Sequence, residues 1–183
     1  AANDVLPVGV PSRQATPEVT VPADCLQPLD KQVTLRMVTG LYIHRLTPAA
    51  VEQFFCRRLA GRHRSRPHRL PAQRRGAAGV LSRARRRFGA GSDPSNIVDA
   101  CYPIGSVQVP GGLEPIILLR DAVSGGGYMT LGTVISSDLD IIGQLQPHYG
   151  VRFAPVSLEE ALVARQHYRR RLERVTLLLT NGY

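Results

Sequence analysis

The chain has 183 residues, of which 43% are hydrophobic, enough for one compact core or two small ones, and it carries a formal net charge of +9. Seventeen glycines and fourteen prolines, with 5% aromatics and no tryptophan, favour short strands joined by many turns over a helical bundle. The charge is local: twelve arginines and no acidic residue lie between Cys56 and Ser92, whereas outside that stretch 11 basic residues are outnumbered by all 14 acidic ones.

Cys25, Cys56 and Cys101 are widely spaced and form no Cys-x-x-Cys pair or Cys/His ligand set, so neither a disulfide framework nor a metal site is expected. The longest apolar runs, Pro115 to Leu119 and Val175 to Leu179, fall far short of the ~20 residues that cross a bilayer. A cytoplasmic protein is the expectation. The chain opens on Ala-Ala-Asn-Asp-Val-Leu-Pro, with no basic-then-apolar signal and no initiator methionine, and reads as entered in mid-domain.

In chain order, residues 1–33 hold five prolines (7, 11, 17, 22 and 28) and read as a connector. Thr34 to Val38 alternates polar and apolar residues and is broken at Thr39-Gly40, which predicts a strand and a turn. Thr47-Pro48 supplies an N-cap and a first helical residue, and Val51, Phe54 and Phe55 share a face of the helix predicted over 49–55. The arginine-rich stretch over 56–92 shows no sustained period. Its Arg, Ala, Gly, Pro and His content resembles a GC-rich gene translated out of frame. A disordered basic insert is the plain alternative, and a nucleic-acid arm is disfavoured because Phe88 is its only aromatic.

From Asp93 the pattern becomes regular. Strands are expected at 105–109 and 115–119, joined as a hairpin by Pro110-Gly111-Gly112, and further strands at 131–135 and 151–156. Ser124 to Tyr128 reads as a flexible glycine-rich loop. Ser137 is placed to cap a short helix bearing Leu139, Ile142 and Leu145. Ser157-Leu158-Glu159-Glu160 has the spacing of a capping box, opening a terminal helix with Ala161, Leu162, Tyr168 and Leu172.

The ordered segments carry a family resemblance. Ile104-Gly105-Ser106-Val107-Gln108-Val109-Pro110 resembles a Gly-x-Ile-Gln-Val-Pro segment, Pro115 to Asp121 a Pro-Ile-x-Leu-x-x-Asp strand, and Ser124 to Tyr128 a Thr-Thr-Gly-Gly-Tyr loop. Gly132-Thr133-Val134, Asp138-Leu139, Gln144 with Pro147, and Val151-Arg152-Phe153 follow at matching intervals, and Asn3 to Pro7 and Leu35 to Gly40 match more weakly upstream. In these features the chain is similar to the C-terminal half of the allophanate hydrolase subunit two, or biotin-dependent carboxyltransferase-like, family, which includes the C subunit of 5-oxoprolinase and urea amidolyase-related proteins. It departs from the family pattern at Gly125 (usually threonine), Met129 (usually proline) and His148 (usually glycine). The arginine-rich stretch also stands where a Ser-x-Arg-Met-Gly-x-Arg-Leu motif is expected.

The resemblance implies a mainly β fold with flanking helices (α+β), an incomplete cyclophilin-like β-barrel. It implies an organisation of 1–33 as linker from a missing N-terminal domain, 34–55 as strand and helix of the barrel, 56–92 as an anomalous or disordered segment, and 93–183 as the carboxyltransferase-like barrel. The implied activity is ATP-dependent hydrolysis of a small amide or lactam such as 5-oxoproline, or carboxyl transfer to urea. ATP would be the cofactor, biotin would sit on a partner carrier, and a companion subunit would complete the complex. A non-catalytic role in engaging a kinase inhibitor is the alternative, and no membrane or nucleic-acid partner is expected. With the N-terminal half missing, the chain alone is expected to be inactive.

Several candidate site residues follow. Asp121 can orient a substrate amide or position a base, and it can equally brace the loop after it. Tyr128 can donate from its phenol or bury its ring, the commoner case. Ser124, Gly126 and Gly127 offer a concavity of backbone N–H groups for an anion, or simply a turn. Gln108 lies between two valines, so if Val107 and Val109 face the core it faces a cleft or solvent. Asp121 and Tyr128 are the catalytic candidates, and Gln108, Ser124, Gly126 and Gly127 the substrate-binding ones.

Overall fold

A computed structural model describes residues 5, 7, 9–10, 20–28, 30–56, 59–61, 69–73, 93, 95–112, 114–120 and 125–181. The strands are β1 (Gln32–Thr39), β2 (Leu59–Gly61), β3 (Arg69–Gln73), β4 (Asn96–Ala100), β5 (Ser106–Gln108), β6 (Ile116–Leu118), β7 (Gly126–Tyr128), β8 (Thr130–Val134) and β9 (Gly150–Val156). The helices are α1 (Pro48–Cys56), α2 (Leu139–Gly143) and α3 (Leu158–Asn181). Seven strands form a barrel in the order β1-β8-β5-β6-β3-β2-β9, and β4 and β7 make a separate two-stranded ribbon.

The barrel closes where β1 and β9 run parallel from Gln32 opposite Gly150 to Val38 opposite Val156. Alternation along β1 turns Leu35 and Met37 inward, both at 0% exposure, while Arg36 points the other way. Phe153 of β9 joins them in the core with Val107, Ile117, Leu131 and Val134. Close approach between β1 and β8 requires a glycine: a Cβ on Gly132 would stand 2.3 Å from both Met37 Cε and the Val38 carbonyl oxygen.

The predicted hairpin forms, with β5 and β6 antiparallel and Val107 opposite Ile117. Helix α1 starts as expected, the Thr47 hydroxyl accepting the Ala50 N–H at 3.3 Å, and Phe54 stacks on Phe153 with ring centroids 5.0 Å apart. The capping box of α3 is also present: Glu160 accepts the Ser157 N–H at 2.7 Å and Ser157 Oγ accepts the Glu160 N–H at 3.1 Å.

Two local expectations differ from the structure. Gly126 to Tyr128 is a strand, because β4 supplies a partner that the run of glycines gives no sign of; β4 itself has no counterpart among the predicted elements. Ser137 does not cap α2. Its hydroxyl turns to the Asp138 carboxylate at 3.2 Å, and that carboxylate is held by Arg36. The stretch over 56–92 contributes β2 and β3 to the barrel through pairings with β9 and β6, since neighbouring strand edges satisfy the backbone whatever the side chains are; the rest of that stretch lies outside the described residues.

The Arg36–Asp138 pair ties α2 to β1. The Asp138 carboxylate, 1% exposed, accepts the Arg36 backbone N–H at 2.9 Å, its Nε at 3.1 Å and its Nη2 at 2.6 Å. The Asp138 hydrogen bond raises the Arg36 pKa above its ordinary value against the opposing effect of burial. Among the described residues no helix is long and apolar enough to cross a membrane.

Candidate functional site

The candidate site forms where the ribbon β4–β7 meets the barrel strand β5. Ser106, Val107 and Gln108 are all buried, so Gln108, at 5% exposure, does not face solvent, and the pairing of β5 with β8 shifts register between Val107 and Gln108. Tyr102 lies in the segment between β4 and β5.

One phenol organises the ribbon. The Tyr102 hydroxyl accepts the Tyr128 N–H at 2.9 Å and lies 2.5 Å from the Gly126 carbonyl and 2.7 Å from the Tyr128 carbonyl, to either of which it donates its single proton. Residues two apart in a strand turn their N–H and C=O groups to the same edge, so the hydroxyl stands where a neighbouring strand would pair with β7. The opposite side of the ribbon pairs Asn96 with Tyr128 and Ala100 with Gly126, with a bulge between. Gly126 packs closely there: a Cβ on it would stand 3.0 Å from the Tyr102 ring.

The Tyr102 phenol has a raised pKa. Burial is the leading cause, aided by the Asp99 carboxylate and Tyr42, while the Tyr128 backbone and the Gln108 side chain act in the other direction.

A second stitch runs through Ser95, which is fully buried. Its N–H and hydroxyl both donate to Asp93 Oδ1, at 2.8 and 2.7 Å, its hydroxyl accepts the Gly111 N–H at 2.9 Å, and its carbonyl accepts the Met129 N–H at 2.9 Å. The β5–β6 turn and the β7–β8 junction are thus joined through one serine. Nearby, Arg45 is 8% exposed, donates from Nη1 to the Asn96 carbonyl at 2.9 Å and lies over the Tyr42 ring. The Asn96 Oδ1 atom is buried and has no hydrogen-bond partner among the described residues.

Of the six candidates read from the sequence, four are described. Gly126 and Tyr128 are hydrogen-bonded to the Tyr102 hydroxyl, Gly127 lies between them in β7 and Gln108 lies in β5; Asp121 and Ser124 lie outside the described residues. Tyr128 is 43% exposed, so its ring is not the buried one of the pair; Tyr102 is. Sequence reasoning missed Tyr102, Ser95 and Asn96. The available signal for Ser95 was the Asp93-Pro94-Ser95 turn, in which an Asp side chain caps an N–H two residues on. Tyr102 gave none, because its partners lie 24 and 26 residues away.

Comparison with known proteins gives the same picture at the level of family. The chain is 39% identical over 77 residues to the C subunit of Escherichia coli 5-oxoprolinase, covering 42% of this chain and 25% of that one. It is 34% identical over 80 residues to a putative urea carboxylase of Emericella nidulans, covering 44% of this chain and 6% of that one. The chain thus matches a quarter or less of the length of these relatives. Among solved structures, the urea carboxylase of Kluyveromyces lactis superposes on 88% of this chain and 14% of its own with a TM-score of 0.72 and 26% identity. The family model for the carboxyltransferase domain, subdomain A and B, matches residues 1–155, and the chain belongs to that family.

Proposed function

We propose that the chain is part of a carboxyltransferase-family subunit that acts on a small amide, lactam or carbamoyl compound, with 5-oxoproline and urea as the leading substrates. The observation that supports this most is the set of hydrogen bonds that fixes the glycine strand β7 on the Tyr102 hydroxyl, with the buried Gln108 carboxamide of β5 as the second group. A carboxamide offers a donor and an acceptor together, the complement of a substrate amide. The half-exposed Tyr128 phenol is a donor to an amide or carboxylate oxygen on which charge develops. Asp121 orients the substrate or a base, and Ser124, Gly126 and Gly127 bind it.

Two backbone donors at the end of the glycine segment are already engaged. A phosphate cradle needs neighbouring N–H groups that are unengaged, and those of Tyr128 and Met129 are given to Tyr102 and Ser95. ATP use and a biotin carrier are accordingly assigned to companion subunits.

The test is to combine the chain with the companion subunits of each system and measure ATP-dependent opening of 5-oxoproline and carboxylation of urea. Turnover of one compound by the assembly, and none by the chain alone, is the expected result. Asp121→Ala in the active assembly should lower turnover about tenfold or more, the equivalent of ~1.4 kcal/mol. Unchanged turnover with reduced stability would make Asp121 a loop brace. Failure of every assembly, together with tight binding of a kinase-inhibitor protein, would replace the enzymatic reading with the regulatory one.

A further inference from the structure

We propose that Tyr102 is a positioning residue: its hydroxyl takes the place of a partner strand on the open edge of β7 and so sets where Tyr128 stands relative to Gln108. The consequence for substrate rests on the reading that β7 and Gln108 line the site.

The geometry leaves the hydroxyl little else to do. Its three backbone partners belong to Gly126 and Tyr128, all on one edge of one strand. The strand is only three residues long and, being two-thirds glycine, brings few side chains of its own to pack. Across the ribbon the register with β4 is interrupted by a bulge between Asn96 and Ala100, so that pairing alone does not lock β7. The ring completes the fit from the side, so close that a Cβ on Gly126 would stand 3.0 Å from it and the ring would have to yield by a few tenths of an ångström. Tyr102 is itself held firmly, with only 8% of its surface exposed. A rigid phenol set against a short, glycine-rich strand positions the strand, and not the reverse. Tyr128 follows from this: its backbone is gripped at both N–H and C=O, while its side chain remains free to meet a ligand.

Tyr102→Phe removes the hydroxyl and keeps the ring. In the full chain, amide exchange at Tyr128 should accelerate about tenfold or more, while the Leu35, Met37 and Phe153 amides exchange as before, a factor that corresponds to loss of one net hydrogen bond. In the active assembly the same variant should raise KM for the amide substrate at least about fivefold with kcat changed less, because binding geometry and not chemistry is disturbed. Unaltered exchange at Tyr128 would overturn the proposal, as would acceleration spread evenly over the barrel, which marks general destabilisation. Faster exchange with unchanged KM in an active assembly would overturn the link to substrate. If no assembly turns over either compound, the functional reading falls and the exchange result still decides whether Tyr102 positions β7. Should Tyr102→Phe fail to fold, Gly126→Ala, which crowds the ring against the hydroxyl's partners, must accelerate the same amide if the proposal holds.

Discussion

The seam between β1 and β9 and the ribbon of β4 and β7 are held by opposite means. At the seam, seven consecutive residue pairs run in register and the inward side chains Leu35, Met37 and Phe153 are essentially inaccessible to water. In the ribbon, Val98 and Tyr128 are exposed, the register slips, and much of the order on the outer edge comes from a single tyrosine hydroxyl. Apolar burial is non-directional and spreads its stabilisation over many contacts, whereas a hydrogen-bonded latch concentrates it in a few atoms and depends on geometry. The part of the molecule proposed to meet a substrate is built in the second way, which fits the general finding that binding segments come from the less stable end of a structure.

The contrast can be broken most directly at the seam. Phe153→Ala should lower unfolding free energy by about 3–5 kcal/mol, measured by chemical denaturation, because it removes a buried ring stacked on Phe54. It should speed exchange in barrel and ribbon alike, unlike Tyr102→Phe.

A smaller effect is expected from Asp138→Ala. The seam also has a polar device, but Arg36 is 44% exposed and can recover water when its partner is lost. The cost should therefore be about 2 kcal/mol, below the range for fully buried pairs. A loss as large as that of Phe153→Ala would show that polar contacts stabilise the seam as much as apolar ones do.

Ser157→Ala should lower the local stability of the first turn of α3 by about 1 kcal/mol, read from amide exchange, since it opens the reciprocal cap at the start of the helix. The effect should be confined to the helix, as the leucines 158, 162, 172, 177 and 179 are largely exposed and the helix adds little to the core. His148→Gly should stabilise the chain by roughly 0.5–1 kcal/mol. His148 has a φ of 72°, the left-handed region that glycine enters without the steric cost of a Cβ, and the family pattern has glycine in its place. A neutral result would show that the turn before β9 relaxes around the imidazole.

The alkaline behaviour of Tyr102 sharpens the comparison from the other side. Its folded pKa lies above the ordinary phenol value near 10, chiefly through burial, so folding favours the protonated form. That contribution is complete below the unfolded pKa and is lost as pH rises through the folded one. Stability of the native chain should fall more steeply above about pH 10 than that of Tyr102→Phe, with the difference read from denaturation curves at about pH 9 and about pH 11.

Much of the barrel was legible because its signals are local. Alternation marked β1, the Pro110-Gly111-Gly112 turn marked the hairpin of β5 and β6, and Ser157 with Glu160 marked the start of α3. The ribbon was not legible, because β4 and β7 are separated by two barrel strands and neither alternates clearly enough to announce itself. At the candidate site, the sequence singled out Gln108, Gly126, Gly127 and Tyr128 but not Tyr102, the tyrosine that is buried.

What the sequence determined by itself was most of the strands, their turns and caps, and the family to which the motifs belong, since these depend on periodicity and on residue types at short spacing. What the tertiary structure decided was pairing across long separations. It brought β1 beside β9, placed Arg36 on Asp138 across 102 residues, and set the Tyr102 hydroxyl against a strand more than 20 residues away. Such contacts leave no mark in local pattern, because the groups that meet are backbone amides and single side chains whose partners exist only once the barrel has closed.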